Sequence, residues 1–183
     1  MAVVQKDCKL ALTVIYHHGI MGIGTTSRAD LSYAGREIMF DETHPVYTIG
    51  TAAELLGVHP RTLRLYEDGG LIRPARKNNR RFYTVHDLEW INCVRYMIHE
   101  KGLNQEGVRR LLALIPCSEI KNCPPEAKAF CTAWGERSAP CWALARQAGS
   151  SSKECYRCTV YLSAADYILD EAERREAAVY VRS

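Results

Sequence analysis

The chain has 183 residues, 47% of them hydrophobic and 25% charged, and a formal net charge of +3 at pH 7. This length holds one ordinary domain or two small ones, and the charged fraction is ordinary for a soluble globular protein. No apolar run approaches the roughly 18 residues of a membrane-spanning helix, so we expect no contact with a membrane. The net charge is too small to indicate nucleic-acid binding by itself, and the distribution of charge is more informative.

Residues 1–43 have no clear helical or strand period beyond the short apolar run LALTVIY (Leu10–Tyr16). That run lacks a small-residue cleavage site, so it does not indicate an export signal, and we expect a cytoplasmic protein. The glycine-rich stretch GIMGIG lacks the spacing and the strand–helix setting of a dinucleotide-binding loop. We predict a flexible N-terminal extension, or an upstream extension in which Met39 is the natural start.

Two short helices are predicted between residues 48 and 70. Thr48 can cap the first helix, and Gly57 ends it. Pro60 suits the first turn of the second helix, where its missing N–H would be unpaired in any case, and Gly69-Gly70 stops that helix. Two short helices joined by a tight turn are typical of a helix-turn-helix.

A hairpin and two further helices follow in the sequence. LIRPA predicts a short extended piece, KNN a turn, and RRFYTV a returning strand. Thr84 and Asp87 resemble a capping box for a helix with apolar residues at helical spacing. Asn104 can cap the next helix, and Pro116 closes the unit. Cys93 on the first of these helices is expected to be a buried small hydrophobe.

Positive charge is concentrated in this unit. Seven basic and two acidic residues lie between Arg61 and Arg81, whereas residues 117–183 carry nine of each. Arg61 and Arg64 lie three apart on a helix face different from that of Leu63 and Tyr66. Such arginines suit base edges or phosphates in a major groove. A basic hairpin beside them can follow the phosphate backbone and add salt-dependent affinity.

The stretches IGTAAELLGV, RTLRLYEDGGLI and RRFYTVHDLEWI resemble the DNA-binding domain of the MerR family, and VHPRTLR with PAR…RRFY is most similar to its heat-shock-repressor branch. The resemblance covers about 70 residues. It implies a homodimer that binds a pseudo-palindromic operator in double-stranded DNA. It also implies that binding distorts the promoter and that the protein contacts RNA polymerase there. Together, residue pattern and resemblance give these candidate DNA-binding residues: Arg61, Thr62, Arg64, Tyr66, Arg76, Lys77, Arg80, Arg81 and Tyr83. Many relatives have Tyr-Tyr where this chain has Leu65-Tyr66, so one phosphate contact is expected to be missing.

Six of the eight cysteines fall in one segment near the C-terminus. The candidate metal ligands are Cys117, Cys123, Cys131, Cys141, Cys155 and Cys158. Cys155 and Cys158 have the spacing at which two thiolates share one metal. Since disulfides are rare in the cytosol, metal ligation is favoured. Prolines between the cysteines exclude a long helix, so we predict a small loop-rich module at 116–162 that a metal helps to fold.

The pieces CSEIKNC, CTAWGERSAPCW and CYRCTVY together resemble the two-CW type of cysteine-rich domain of bacterial sensor and regulatory proteins. That pattern normally begins with Cys-Trp, and this chain has Cys117-Ser118 instead. The resemblance does not identify the metal. An iron–sulfur cluster, Zn²⁺, and unligated thiols that form regulatory disulfides all remain open.

The predicted fold class is mainly α, with a winged helix-turn-helix (44–115), the cysteine-rich module (116–162) and a C-terminal helix (163–183). Ser163 caps that helix, whose apolar stripe is expected to contact a partner subunit or the cysteine module. The leading hypothesis is a non-enzymatic transcriptional regulator that senses redox state or metal through its cysteines. The alternative is a cysteine-dependent redox enzyme or metal carrier on a DNA-binding-type scaffold, although no nucleophile-and-base arrangement stands out. The cysteine module can also be a docking surface for another protein.

Overall fold

The computed structural model describes residues 41–129, 131–135, 137–149 and 155–180. The run LALTVIY and all but the last three residues of the predicted N-terminal extension lie outside the described residues. The first half of the described chain contains β1 (Tyr47–Thr48), α1 (Ile49–Leu55), α2 (Pro60–Asp68), β2 (Ala75–Lys77), β3 (Arg80–Tyr83), α3 (Val85–His99) and α4 (Gln105–Ala113). This order is the predicted winged helix-turn-helix, in which α1 and α2 form the helical pair and β2 and β3 the wing.

The cysteine-bearing segment is mostly short helices rather than the predicted loops. They are α5 (Cys117–Ile120), α6 (Pro125–Ala129), α7 (Thr132–Gly135), α8 (Cys141–Gln147), the 3₁₀ turn Cys155–Arg157 and α9 (Thr159–Leu162). The chain ends in α10 (Ala164–Ile168) and α11 (Glu171–Val179). Prolines lie just before or at the start of several of these helices. Because proline cannot continue a preceding helix, each such proline separates one short helix from the next.

Local capping signals confirm the predicted starts of α1, α2 and α3, whereas Ser163, at the predicted cap position before α10, makes no capping hydrogen bond with its side chain. The Thr48 hydroxyl accepts the N–H of Thr51 at the start of α1. At α3 the capping box is complete, because the Thr84 hydroxyl accepts the N–H of Asp87 at 2.9 Å and the Asp87 carboxylate accepts the N–H of Thr84 at 2.8 Å. In α2, Pro60 occupies the first turn, as predicted, and the His59 ring nitrogen adds a cap that the sequence pattern does not indicate.

The wing belongs to a three-stranded antiparallel sheet with strand order β1-β3-β2. Asn78 and Asn79 form its turn with φ of 49° and 61°, the left-handed values that a tight two-residue hairpin turn of type I′ requires. The pairing of β1 with β3, in which Tyr47 lies opposite Tyr83, was not predicted. A two-residue strand is too short to show a period in the sequence, so it is recognised only by its pairing with β3 in the structure.

One hydrophobic core holds the helix-turn-helix and the cysteine segment together. Leu63 and Tyr66 face into it, as predicted, and Cys93 is buried in it. Trp142 and Tyr161, from the cysteine segment, are 3% and 0% exposed in the same core. The segment at 116–162 therefore shares its core with the helix-turn-helix unit, whereas the sequence had predicted a module of its own.

The predicted single C-terminal helix is two helices. Leu169 is extended and 5% exposed, and Asp170 forms a capping box with Glu173 that starts α11. A local start signal and burial of Leu169 override helix continuation. Of the predicted apolar stripe, Val179 is 69% exposed.

The helix against which α11 packs, α3, was also not predicted from the sequence. The α11 helix lies on α3 through buried Ala177, a hydrogen bond from Tyr96 to Glu176, and a 2.8 Å ion pair between Lys101 and Glu173. Among the described residues, no helix combines the length and the apolar character needed to cross a membrane.

Gly70 gives a test of the contact between the two halves. Its φ is +74°, and a Cβ there would come within 2.7 Å of the Ala143 Cβ on α8. Gly57 has a similar φ of +61° with nothing within 4 Å of the added carbon, so it serves as the matched control. We expect Gly57→Ala to cost about 1–2 kcal/mol of left-handed strain and Gly70→Ala a further ~1–3 kcal/mol of overpacking. Urea unfolding measures both, and equal losses would contradict the contact.

Candidate nucleic-acid interface and cysteine cluster

The second helix, α2, separates its cationic side chains from its apolar ones. Arg61 and Arg64 are exposed and Thr62 is partly exposed. The opposite face buries Leu63 and Tyr66 against the core. A short helix fixed on one side with arginines on the other can enter a groove without losing its packing.

The four basic side chains of the wing divide into two cross-strand pairs. Arg76 lies opposite Arg81, and Lys77 lies opposite Arg80. Because side chains alternate between the faces of a strand, the two pairs point to opposite faces. Lys77 and Arg80 are exposed beside the turn, whereas Arg76 and Arg81 turn towards α2.

Glu67 is the reason for that orientation. Its side chain is fully buried near the end of α2, where Arg76 pairs with it at 2.6 Å and the Arg81 guanidinium donates to its second oxygen. Arg146, on α8, donates to the Glu67 backbone oxygen at 3.1 Å. The Glu67 carboxylate therefore ties the wing to the second helix with no intervening element, and its backbone ties in the cysteine segment.

The pKa of Glu67 reflects this environment. Burial raises the pKa, but hydrogen bonds from Arg81 and Arg76 more than offset it and leave the pKa below its ordinary value. The carboxylate is consequently charged at neutral pH, and two of the wing's four cations have a permanent partner inside the domain. This reduces the positive charge available to an outside anion.

Two predicted contact residues lie inside the domain. Tyr66 is 3% and Tyr83 0% exposed. The Tyr83 hydroxyl has no hydrogen-bond partner among the described residues, and burial raises its pKa. Leu65 is 46% exposed, so an apolar side chain lies beside Arg64 on the outer surface.

Four of the six clustered cysteines share an environment. Cys117, Cys141, Cys155 and Cys158 are half-buried against the same core. A hydrogen bond from the Cys141 thiol lowers the pKa of Cys117 to about 6, and the same bond together with burial raises the pKa of Cys141. The charges of Cys158 and Cys155 also act on Cys141, so all four thiols are electrostatic neighbours.

The other two predicted ligands are placed differently. Cys131 is exposed, and neither it nor Cys123 packs on the core that the other four share. No disulfide joins the seven cysteines in the described ranges.

The four neighbouring thiols fit a metal by donor type and number, since zinc and iron–sulfur clusters take four thiolates. Their spacing is looser than ligation requires. In the described part of the chain, no three His, Cys, Asp or Glu side chains converge tightly enough to hold an ion. Ligation would have to draw the short helices that carry these cysteines closer together.

Three residues that hold the two halves of the fold together, Glu67, Trp142 and Tyr161, were not predicted from the sequence. Glu67 follows Leu63 by four positions, which places it on the buried face of α2, and that signal was available. Trp142 and Tyr161 gave no comparable signal, because their partners Gly70 and Asp87 lie 72 and 74 positions away. Periodicity does not report contacts at such separation.

Residues 47–115 match the model of the MerR HTH family regulatory protein. The chain is 40% identical over 74 residues to HspR from Streptomyces coelicolor, across 40% of this chain and 49% of that protein. It is 30% identical over 71 residues to the HTH-type transcriptional regulator GlnR from Bacillus cereus, across 38% and 54%. It is 42% identical over 69 residues to the HTH-type transcriptional regulator HmrR from Rhizobium leguminosarum bv. viciae, across 36% and 51%.

The chain spans about half the length of the curated relatives it matches. The family match ends at residue 115, before the first of the six clustered cysteines. The similarity therefore concerns the helix-turn-helix unit, and the matched family model does not cover the cysteine segment.

Replacing Glu67 tests its role in holding the wing. Glu67→Gln removes the charge but keeps the shape, and we expect a loss of about 2–4 kcal/mol because two partly buried arginines lose their counterion. The exposed Glu54→Gln on α1 should change stability by less than about 0.5 kcal/mol. Urea unfolding at pH 7 measures both.

The pH dependence gives a second readout of the same pair. A carboxylate whose folded pKa is depressed contributes stability that is complete above its unfolded pKa and is lost as pH falls through the folded pKa. Wild type should therefore lose stability on acidification below about pH 4.5, and Glu67→Gln should lose less over that interval. If the free energy of unfolding falls equally with pH in the two proteins, the ion pairs of Glu67 contribute no stability.

Proposed function

We propose that the chain is a sequence-specific, DNA-binding transcriptional regulator of the MerR type rather than an enzyme, and the match of residues 47–115 to the MerR HTH family model supports this. The observation that carries the proposal is the outward face of α2, where Arg61 and Arg64 are exposed while Leu63 and Tyr66 anchor the helix. Exposed arginines on the second helix of such a motif suit bidentate bonds to guanine or to phosphate.

The wing supplies the sequence-independent part of the affinity. Lys77 and Arg80 are exposed cations beside its turn and meet phosphates. Arg76 and Arg81 chiefly position the wing through Glu67, and each guanidinium keeps further N–H groups for a phosphate.

The remaining predicted contacts differ in accessibility. Thr62 is partly exposed and offers a hydroxyl to the backbone. Tyr66 and Tyr83 stay out of the proposed contact set, because their buried side chains present almost no surface to DNA. The resemblance of the helix-turn-helix unit to the MerR family supports two further proposals. The protein binds a pseudo-palindromic operator as a homodimer, and it acts at promoters together with RNA polymerase. A cytoplasmic location is proposed as well.

The proposed signal is a metal or a redox change at the cysteines. Cys117, Cys141, Cys155 and Cys158 are the proposed ligands, and their common half-buried environment supports this choice over Cys123 and Cys131. Zn²⁺ would supply a fixed charge that holds the segment folded, and an iron–sulfur cluster would add a centre that exchanges electrons. The resemblance to the two-CW domain supports the same proposal.

The DNA-binding proposal is tested with a duplex selected from a random-sequence library by the full chain. Arg64→Ala is expected to weaken binding to that duplex by about 1–3 kcal/mol while leaving affinity for random duplex nearly unchanged, since it removes a base contact. Lys77→Ala should weaken binding to both and lower the salt slope by about 1. Arg175→Ala, exposed on α11, is the charge-matched control. Equal binding of selected and random duplex by wild type would sink the proposal.

The ligand proposal is tested by anaerobic purification with iron, sulfide and zinc analysis and visible absorption. Cys141→Ser and Cys158→Ser are expected to lose most of the bound metal, because a four-thiolate site cannot close with three. Cys123→Ser and Cys131→Ser should retain it and are the matched controls. Full metal content in Cys141→Ser, or its loss in Cys131→Ser, would overturn the assignment.

A further inference from the structure

The outward face of α2 carries one apolar side chain among its charges. The exposed residues of this helix are Arg61, Arg64, Leu65 and Asp68, and offsets of three, four and seven positions from Arg61 place them on a single face. Leu65 is 46% exposed. A single exposed leucine is common on protein surfaces, but this one lies in the middle of the face that is proposed to enter the groove.

The position of Leu65 is fixed by contacts at both ends of α2. At the start of the helix, the His59 ring nitrogen accepts the N–H of Arg61 at 3.1 Å. Near its end, the Leu65 backbone oxygen accepts the N–H of Gly69 at 2.8 Å, and the buried carboxylate of Glu67 is paired with the wing. Because the backbone is held in this way and a leucine side chain loses little rotamer entropy, Leu65 can make a contact without first being ordered.

The charges on either side of Leu65 determine which part of a duplex suits it. Arg61 and Arg64 lie towards the start of α2 and attract phosphates or guanine. Asp68 lies about one turn beyond Leu65 with its side chain 61% exposed, and the Arg146 guanidinium comes only to 3.6 Å from it. A phosphate at this end of the face would meet a like charge and lose water against the leucine. The uncharged base edges, and not the sugar–phosphate backbone, therefore suit the surface at Leu65.

A single group in the major groove matches an apolar side chain. Guanine presents two acceptors there, cytosine an amino donor, and adenine an acceptor and a donor, whereas thymine presents an acceptor together with its C5-methyl group. The leucine side chain offers no hydrogen bond, so a polar base edge pressed against it loses its water without compensation. The thymine methyl group gains from the same contact, because both apolar surfaces leave water.

We propose that Leu65 is a specificity-determining residue that recognises a thymine of the operator through its C5-methyl group. This inference rests on the proposed function and adds a base preference to it. Leu65 follows Arg61 by one turn, which is about 6 Å along the helix and about two base-pair steps of the duplex. The recognised thymine is therefore expected within about two base pairs of the position that Arg61 contacts.

The test uses the full chain and the duplex selected as above. Each thymine of that duplex is replaced in turn by uracil, which lacks the C5-methyl group but keeps every hydrogen-bonding group. Affinity is measured at one salt concentration, because phosphate contacts depend on salt. Leu65→Ala removes the proposed contact, and Leu65→Met keeps an apolar side chain of similar volume. Leu114→Ala, at the end of α4 and 68% exposed, is the matched control.

Wild type and Leu114→Ala are expected to bind about fourfold more weakly when uracil replaces the recognised thymine, since burial of one methyl group contributes about 0.8 kcal/mol. In Leu65→Ala the ratio of the thymine and uracil affinities should fall towards one, because the methyl group loses its partner. Leu65→Met should retain the ratio of wild type. Urea unfolding of Leu65→Ala should stay close to that of wild type, because the replaced side chain is half-exposed.

An equal uracil effect in wild type and Leu65→Ala would overturn the inference and leave the proposed regulator intact. Specific binding by wild type with no thymine at which uracil weakens it would have the same meaning. Loss of the uracil effect in Leu114→Ala as well as in Leu65→Ala would also overturn the assignment to Leu65. Equal binding of selected and random duplex by wild type would instead overturn the proposed function, and the inference with it.

Discussion

A buried carboxylate, that of Glu67, sets the geometry on which the surface proposed to read DNA depends. A charge removed from water is costly unless it is paired, so the side chain requires the arginines that reach it from both strands of the wing. The pairing fixes the angle between wing and helix more firmly than a three-residue strand could by itself. The backbone of the same residue accepts a hydrogen bond from Arg146, so a single position brings together the helix, the hairpin and the cysteine segment.

This pairing changes how much of the positive charge between Arg61 and Arg81 is free to meet an external anion. The sequence shows seven cations against two acids between Arg61 and Arg81, and one of those acids, Glu67, is paired inside the domain with Arg76 and Arg81. Its single carboxylate balances one of the two arginine charges. Arg64 and Arg80, in contrast, are exposed, and they belong to the arginines proposed to meet DNA. The domain thus combines arginines paired with its own carboxylate and exposed arginines proposed to bind DNA a few residues apart, and only the three-dimensional pairing distinguishes them.

Sequence-based prediction succeeded where the determinants are local. The capping box at Thr84, the proline at the start of α2, the glycines at its end and the Asn78-Asn79 turn each act within four residues, and all occur as predicted. It failed where the determinant is a distant partner, as with β1, with the docking of Tyr161 on Asp87, and with the packing of α11 on α3. For the candidate site, residue types were predictable, but burial of the two tyrosines and the division of the cysteines into four and two required coordinates.

Gly70 carries a consequence for how such a chain can diversify. Its left-handed backbone alone would tolerate asparagine at some cost, yet the approach of Ala143 removes even that option. Two separate constraints thus exclude a Cβ at Gly70. One is the left-handed backbone after the end of α2, and the other is the close approach of Ala143 from the cysteine segment. Homologues that possess this segment should be invariant for glycine there and keep a small residue opposite. In homologues without that segment the steric demand of Ala143 is gone, so other residues that tolerate a left-handed backbone should occur at the position of Gly70.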